Sequence, residues 1–247
     1  MILKIRNKPD FVNKFLSPVS KINDSSILKL TNKGFSTLMS AADNTVILYG
    51  QYDVECEEVE GTHIFNLPDL NRLIKILQCI EKDNISLQLE SNHIKYSSSD
   101  VRFKYHLLDD GILSAPPVSV DKIKQTVKNY NASFKVPYTS LINLIKNGSF
   151  ALDINKVYLF SKNGEVYAEI DDKERHNVDS FCMKLCNGIY GDEITEPLPI
   201  SFETIRVLAG TRCEEVAVYV NTELNVLTFE VNTNDVKMTY IVSGLSK

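Results

Sequence analysis

Four times along this chain, the residue pattern predicts the same order of elements: one strand, one short helix and then three strands. In the first copy, alternating apolar residues predict a strand over residues 2–6, and apolar residues at helical spacing predict a helix over residues 9–22. Pro18 is expected to weaken or kink the second half of that helix. The strands predicted after it are Ser26–Thr31, Gly34–Ser40 and residues 45–52.

The other three copies repeat this order, with clear turn sequences between their strands. Lys162-Asn163-Gly164 in the third copy is the strongest hairpin signal, because Asn and Gly tolerate the positive φ of a tight turn. Ser201 is the expected N-cap of the fourth helix. The second copy has strand 63–67, helix 69–80 and strands 85–90, 93–97 and 101–107. The third has strand 133–136, helix 138–146 and strands 157–161, 165–170 and 180–185. The fourth has strand 198–200, a helix after Ser201 and strands 215–220, 226–231 and 236–242. Four copies of one unit indicate internal duplication.

The order of elements predicts an α+β fold. Strands follow one another without intervening helices, which excludes a doubly wound α/β fold. Residues 111–131 separate the second copy from the third, contain Pro116 and Pro117 and show little periodicity. We therefore predict two domains of duplicated strand–helix–strands units, at residues 1–110 and 132–247, with residues 111–131 as the connector between them.

Composition is typical of a globular intracellular protein. No run of about 18 apolar residues is present, which is the length that a membrane-spanning helix needs. The first ten residues mix charged and apolar side chains, unlike a signal peptide. The five cysteines are scattered, which argues against a disulfide framework and for a reducing compartment. A cytoplasmic location is expected, in the host cytoplasm if the protein is viral.

Charge is distributed unevenly along the chain. The formal net charge is -5, whereas proteins that hold DNA through its phosphates usually carry an excess of lysine and arginine. However, the four segments that contain the predicted helices together carry +5, so the remainder carries −10. These segments are residues 8–22, 67–82, 138–147 and 201–212. On each helix the basic residues lie opposite the apolar stripe.

Two interpretations of the basic helix faces stay open. An amphipathic surface helix puts lysine and arginine in water whatever its function. A surface that only needs to be solvated would mix both signs, whereas here four helices share one sign within an acidic chain. The second interpretation is a basic surface that meets a polyanion.

No catalytic or metal site is predicted. Cys182 and Cys186 lie four residues apart, without a second pair of ligands at usable spacing. The four histidines, including His176 in a charged turn, stand beside no evident nucleophile and orienting acid. The acidic run within residues 55–60 lacks the pattern of a calcium loop, and no glycine-rich phosphate loop is present. The chain is therefore expected to be no enzyme and to need no cofactor.

Several segments of the chain carry a family resemblance. The strongest is VYLFSKNGEVYAEIDD at residues 157–172, followed by DSFCMKL at residues 179–185. The others are FNLPDLNRLIKILQC at residues 65–79 and residues 107–120, with their Asp-Asp and Pro-Pro pairs. In these segments the chain resembles the DNA sliding clamps, most of all those of T-even-type tailed bacteriophages. Clamps have no invariant catalytic signature, so the resemblance rests on pattern and spacing over nearly the whole chain.

This resemblance implies a homotrimeric ring, in which three subunits meet head to tail around duplex DNA. The helices would line the inner face of the ring and the sheets would lie outside. Retention would be topological, so weak contacts to phosphates without sequence preference would permit sliding. The implied DNA-binding residues are Lys14, Lys21, Arg72, Lys75, Lys82, Lys146 and Arg206. Lys122, Lys124 and Lys128 of the connector are interpreted as solvated surface.

The resemblance also implies partner surfaces. A replicative DNA polymerase and an ATP-dependent clamp loader would bind through peptide tails in an apolar pocket beneath the connector. The implied pocket residues are Met39, Ile112, Leu113, Val118, Ile241 and Val242. The ring would close by pairing strand 101–107 of one subunit with strand 180–185 of the next, because both are too apolar to stay exposed as edges. The implied interface residues are Val101, Phe103, Tyr105, Phe181 and Met183. The alternatives are that the interface residues lie in ordinary half-buried strands and that the pocket residues belong to the core.

Two other functions remain compatible with the sequence. A monomeric DNA-polymerase accessory subunit of the same fold would hold DNA by charge alone, although the sequence contains no concentrated basic surface. A protein-interaction scaffold of the same fold would never meet DNA, so its activity would not depend on the charges of Arg72 and Lys75.

Overall fold

The structure, a computed structural model, describes residues 1–54, 59–151, 153–175 and 177–245. Residues 55–58 of the acidic run and His176, discounted above as ligands, lie outside the described residues. The chain divides into two compact units. The first comprises Met1–Ser119 with Thr233–Met238, and the second comprises Val120–Asn232 with Thr239–Lys247.

The first unit contains two copies of the strand–helix–strands order. Its elements are β1 (Ile2–Ile5), α1 (Lys8–Asp10), a π-helical segment (Phe11–Leu16), α2 (Ser17–Ile22), β2 (Ser26–Thr31), β3 (Gly34–Ser40), β4 (Val46–Tyr52), β5 (His63–Leu67), α3 (Leu70–Gln78), β6 (Ile85–Glu90), β7 (His93–Ser97) and β8 (Arg102–His106). The strands pair antiparallel in the orders β1-β6-β7-β8 and β4-β3-β2-β5. β8 is therefore a sheet edge.

The first helix runs without a break from Lys8 to Ile22, but its middle is π-helical. In an α-helix the ring of Pro18 would clash with the carbonyl of Lys14, and proline has no amide hydrogen to donate. The turn before it is widened instead, and the Ser17 N–H bonds to the carbonyl of Val12, five residues back. Pro18 therefore alters the helix on its N-terminal side.

Aromatic side chains form the contact between the first helix and the sheet beneath it. The ring centroid of Phe11 lies 5.8 Å from that of Phe15, 5.9 Å from that of Phe35 and 4.9 Å from that of Tyr52. Gly50 permits this close approach, because a Cβ there would lie 3.3 Å from Phe15 Cε2 and 2.9 Å from a methionine sulfur. Each buried aromatic of this kind contributes about 1.5–3 kcal/mol to folding.

The start of α3 is fixed to the edge strand β8. Asp69 caps the helix, and its Oδ1 accepts from the Arg72 N–H at 2.8 Å. The Tyr105 hydroxyl donates to the Asp69 carbonyl at 2.8 Å and accepts from the Asp69 N–H at 3.0 Å. Asp24, which follows α2, accepts from Asn71 Nδ2 at 2.7 Å. These bonds hold the two helices of the unit beside each other.

The elements from residue 120 onward form the other two copies. They are α4 (Val120–Lys128), β9 (Ala132–Pro137), α5 (Tyr138–Asn147), a 3₁₀ turn (Gly148–Phe150), β10 (Lys156–Lys162), β11 (Glu165–Ile170), β12 (Phe181–Asn187), β13 (Tyr190–Gly191), β14 (Leu198–Ser201), α6 (Phe202–Leu208), β15 (Glu215–Asn221), β16 (Val226–Asn232) and β17 (Val236–Ser243). The strand orders are β12-β11-β10-β14 and β13-β9-β15-β16-β17. Within the described part of the chain, no helix is both long and apolar enough to cross a bilayer.

The α+β fold and the repeated strand–helix–strands order are confirmed. Each predicted strand and helix is present, and none of the predicted limits is displaced by more than two residues. Ser201 caps the fourth helix, where its Oγ accepts from the Glu203 N–H at 3.3 Å. Asn163 and Gly164 have φ values of 55° and 75°, as the predicted hairpin turn requires.

Residues 120–128 of the predicted connector form α4, a helix for which the sequence pattern gave no prediction. Its apolar stripe is short, and Ile123 is its only residue that is fully buried. Lys122, Lys124 and Lys128 occupy its exposed positions, as interpreted. A stripe of so few residues gives little periodicity, and the helix is stabilised by contacts with the second unit, to which it belongs.

Candidate nucleic-acid interface and partner surfaces

Most of the predicted DNA-binding cations are free at the surface. The five that are solvent-exposed and make no ion pair with a described residue are Lys21, Arg72, Lys75, Lys82 and Lys146. Arg72 and Lys75 lie three residues apart on α3, on the side opposite the buried Leu73. Such unpaired cations remain available to an external anion.

The other two predicted cations are paired inside their own helices. Lys14 Nζ lies 2.8 Å from Asp10 Oδ2. Arg206 Nη1 lies 3.0 Å from Glu203 Oε2, and its guanidinium lies 4.6 Å from the ring centroid of Phe202. A cation with a neighbouring carboxylate presents less net charge to a phosphate, so we expect these two to contribute less than the unpaired five.

Lys8 was counted in the charge of the first helix segment, but its side chain is not at the surface. It is 7% exposed, and its ammonium donates to the carbonyl oxygen of Ile80. Two carboxylates at the start of α3 accept hydrogen bonds: that of Asp69 from the Arg72 N–H, and that of Asp24 from Asn71 Nδ2. Glu81 remains exposed beside Lys82. These carboxylates keep their negative charge, but α3 itself contains two basic residues, Arg72 and Lys75, and no acidic one.

Both strands implied for ring closure are sheet edges. β8 ends the order β1-β6-β7-β8, and β12 ends the order β12-β11-β10-β14. Each therefore offers backbone donors and acceptors that no described strand occupies. Arg102, Lys104 and His106 are exposed on β8, whereas Cys182 and Lys184 are exposed on β12.

The implied interface residues differ in accessibility. The half-buried members are Val101, Phe103, Phe181 and Met183. Phe103 stacks on Tyr96 within its own sheet, with ring centroids 5.8 Å apart. Tyr105 is only 3% exposed and bonds to Asp69, so it belongs to the core of the first unit. Burial raises the pKa of its hydroxyl.

Met39, Ile112 and Leu113 line one groove of the first unit, with a volume of about 300 Å³. The groove is lined on one side by β2 and β3 and on the other by residues 112–117. Ile112 is 59% exposed, so a large aliphatic side chain is available to a ligand there. No charged side chain lines this groove, which we call the neutral groove.

The other three implied pocket residues do not line the neutral groove. Ile241 and Val242 are 9% and 1% exposed, so both are buried in the second unit. Val118 is half-buried elsewhere. The lining residues that sequence reasoning missed include Ile27, Leu38, Pro116 and Pro117. Ile27 and Leu38 were detectable as apolar residues at the solvent-side positions of alternating strands.

The discounted residues have structural partners. Among the described residues, no group of three His, Cys, Asp or Glu side chains is arranged to hold a metal ion. Burial raises the pKa of Cys186 to about 11, which disfavours the thiolate that a metal would need. Burial lowers the pKa of His93, whose Nε2 lies 3.2 Å from Glu90 Oε2.

Comparisons with solved structures show which known proteins share this fold. No family model and no curated protein matches the chain. The structure of Proliferating Cellular Nuclear Antigen (PCNA) from Entamoeba histolytica matches with a TM-score of 0.79 and 13% identity, over 99% of this chain and 98% of that one. The PCNA2-PCNA3 complex of Sulfolobus tokodaii matches with a TM-score of 0.77 and 11% identity, over 100% of both chains.

A third solved structure is A. fulgidus PCNA with the C-terminal region of FEN-1 bound to it. It matches with a TM-score of 0.77 and 14% identity, over 100% of this chain and 98% of that one. Because each match covers at least 98% of both chains, it includes both units and both pairs of repeats. The chain has the α+β fold of PCNA-type sliding clamps.

Proposed function

We propose that this protein is a DNA sliding clamp. Three copies would form a ring around duplex DNA and tether the replicative DNA polymerase for processive synthesis, after loading by a separate ATP-dependent clamp loader. The observation that carries the proposal is the set of five exposed, unpaired cations on or beside the helices of a clamp-like fold whose net charge is -5.

Weak phosphate contacts suit a protein that must slide. Lysine and arginine contacts to phosphates position a protein on DNA but read no sequence. Each such contact releases a counterion, so binding by many contacts becomes tight and salt-dependent. A closed ring retains DNA by topology, so a few contacts suffice and the acidic remainder of the chain is no obstacle.

The exposed edges of β8 and β12 support ring closure by strand pairing between subunits. Two different edges that meet head to tail make a heterologous interface, and such an interface closes into a ring when its rotation permits. Half-buried Phe103, Phe181 and Met183 would become covered in that pairing. The Sulfolobus tokodaii structure is a complex of two PCNA chains, which is in keeping with assembly by this fold.

The neutral groove is our candidate site for partner tails. Its half-exposed and exposed aliphatic lining, with Ile112 at 59% exposure, suits an apolar side chain of a peptide. The A. fulgidus PCNA structure contains the C-terminal region of FEN-1, which supports tail binding by proteins of this fold. The polymerase and the clamp loader are the partners we assign to it.

The source of the protein is a separate part of the proposal. Residues 157–172 and 65–79 resemble clamps of T-even-type tailed bacteriophages. Such a clamp would work in the cytoplasm of the infected host.

Native mass spectrometry tests the ring directly. A clamp should give a species of three times the chain mass of 27.9 kDa in dilute neutral buffer. A monomer that persists at about 100 μM, where even weak interfaces are occupied, would contradict the ring. A monomer that also binds linear duplex DNA with a steep salt dependence would instead support the accessory-subunit function. A trimer that is indifferent to charge reversal at Arg72 and Lys75 would support the scaffold.

A further inference from the structure

The second unit has a groove of its own, between α4 and the face of the sheet formed by β15 and β16. Its volume is about 360 Å³. Tyr130, Tyr219, Leu224 and Val226 supply apolar lining. Tyr130 is 46% exposed and Leu224 is 62% exposed, so large apolar side chains stand in water here. We call this site the α4 groove.

Hydrogen bonds between its walls hold the α4 groove in shape. Asn221 Nδ2 donates to the Asn129 carbonyl at 2.9 Å, and the Leu224 N–H donates to Asn221 Oδ1 at 2.8 Å. Asn131 Nδ2 donates to Thr222 Oγ1 at 2.8 Å, and the Thr222 N–H donates back to Asn131 Oδ1 at 3.0 Å. The end of α4 is thus fastened to the β15–β16 turn. A ligand would not have to order either wall, which lowers the entropic cost of binding.

The apolar surface continues from the α4 groove across the sheet. The register of β13, β9 and β15 puts Tyr190 opposite Ser133, and Ser133 opposite Tyr219. Tyr190 is 73% exposed, and the ring centroid of Tyr130 lies 5.0 Å from that of Tyr219. Neighbouring strands are about 4.8 Å apart. Tyr190 and Tyr219 are thus separated by roughly two strand spacings, with the small Ser133 between them. Exposed aromatic surface therefore extends from the groove towards Tyr190.

The charge at the α4 groove is basic. Its lining includes Lys122 and no carboxylate. Lys124 and Lys128 are exposed on the same helix and make no ion pair with a described residue. The carboxylate of Glu230, on the same sheet face, takes part in a hydrogen bond with the Tyr219 hydroxyl. The neutral groove has no charged lining at all, so the two grooves favour ligands of different charge.

We propose that the α4 groove binds a partner peptide in which a bulky apolar side chain is flanked by acidic residues. The apolar side chain would cover Leu224 and the tyrosines, and the carboxylates would lie beside the lysines of α4. Burial of one such side chain contributes about 1.5–3 kcal/mol, and the opposite charges add specificity and a faster association. The inference does not require ring formation, so it stands apart from the proposed function.

Selection from a random peptide-display library tests the proposal on the full-length protein. Peptides that bind the Leu224→Glu variant are first removed from the library. The remaining peptides are then selected for binding to the wild-type protein. We expect the enriched peptides to share Leu or Phe next to Asp or Glu. In fluorescence anisotropy, Leu224→Glu should weaken their binding at least about tenfold, which corresponds to about 1.4 kcal/mol. Lys128→Glu should also weaken it, and should erase the preference for Asp over Asn in the same peptide.

Ile112→Glu is the matched control. It places the same charge on an aliphatic side chain of similar exposure, at 59% against 62%, but in the neutral groove. Binding should be unchanged in this variant. The proposal is overturned by peptides that bind Leu224→Glu as tightly as the wild type, by peptides that Ile112→Glu releases, by an enriched set without acidic residues, or by no enrichment. Circular dichroism should show that all three variants are folded, as expected for substitution of exposed residues.

Discussion

Whether a lysine of this protein can meet DNA is decided by its immediate neighbours. Lys75 and Lys146 have no ion-pair partner among the described residues. Lys14 is paired with Asp10, one turn away, and Lys8 is buried against a carbonyl oxygen. Residues of one type on similar helices therefore differ in the charge they present to an external phosphate.

Reversal of the charges of Arg72 and Lys75 should weaken binding of a duplex oligonucleotide at low salt. Each lost phosphate contact also lowers the slope of log K against log salt, by about 0.9. Fluorescence anisotropy across a salt series measures both quantities. Lys124→Glu with Lys128→Glu is the control, because it makes the same change of net charge on α4. Equal effects of the two pairs would show that only total charge matters.

Tyr105 is predicted to stabilise the fold through its hydroxyl. Tyr105→Phe removes both bonds to the Asp69 backbone and leaves a partly buried donor and acceptor without these partners. We expect the free energy of unfolding to fall by about 1–3 kcal/mol in urea titrations. Tyr96→Phe, on the neighbouring strand, is the control, because no hydrogen bond of its hydroxyl is found in the described part of the chain. An equal loss in both variants would contradict this account.

Among the strands and helices, the two sheet edges β8 and β12 are the elements most open to association with another chain. β8 and β12 each end a four-stranded antiparallel sheet, and their exposed side chains alternate with half-buried or buried ones. An edge strand left in water is a site of association with other chains. The alternation also fixes which side chains of two paired edges would share a face.

A disulfide can test the pairing of these edges. Lys104→Cys puts a thiol on the exposed face of β8, and Cys182 is already exposed on β12. If β8 pairs with β12 of the next subunit in the register that sets positions 104 and 182 opposite each other, mild oxidation should give dimers and trimers on a non-reducing gel, because facing thiols come within bonding reach. Addition of Cys182→Ser should abolish them. Cross-linking that persists without Cys182 would place the contact elsewhere.

At the scale of the whole molecule, net charge and fold have to be considered together. A chain of net charge -5 is unsuited to holding DNA by charge alone. In the proposed function a closed ring would hold the DNA, and the exposed, unpaired cations on and beside the helices would supply only weak phosphate contacts. Retention of the protein on DNA would then depend on ring closure, whereas its affinity for DNA would depend on the phosphate contacts.

Retention on DNA should therefore depend on the topology of the DNA rather than on salt. The Lys104→Cys protein, oxidised in the presence of a nicked circular plasmid, should stay on the circle in about 1 M NaCl, where the Debye length is only about 3 Å. Linearisation of the plasmid should release it. Gel filtration separates DNA-bound from free protein, and so measures both the retention on the circle and the release after linearisation. Release from the circle by salt would contradict encirclement and favour binding by charge alone.

Much of the fold could be predicted from residue patterns because its elements are locally determined. The period-two alternation of β2 and β11, the apolar stripe of α3 and the turn at Asn163-Gly164 each depend on residues close together in the chain. Repetition reinforced each of these signals fourfold. α4 was missed because its short stripe is stabilised by contacts with a sheet that lies far away in the sequence.

By itself, the sequence determined the order and approximate limits of the repeated strands and helices, the fourfold repeat, the α+β fold and the concentration of positive charge on the helix segments. Only the tertiary structure decided which side chains carry that charge to the surface, that Tyr105 belongs to the core, and which residues line each groove. The reason is physical: Lys8 meets Ile80 across 72 positions and Tyr105 meets Asp69 across 36. Burial and pairing depend on such distant contacts, which no local period encodes.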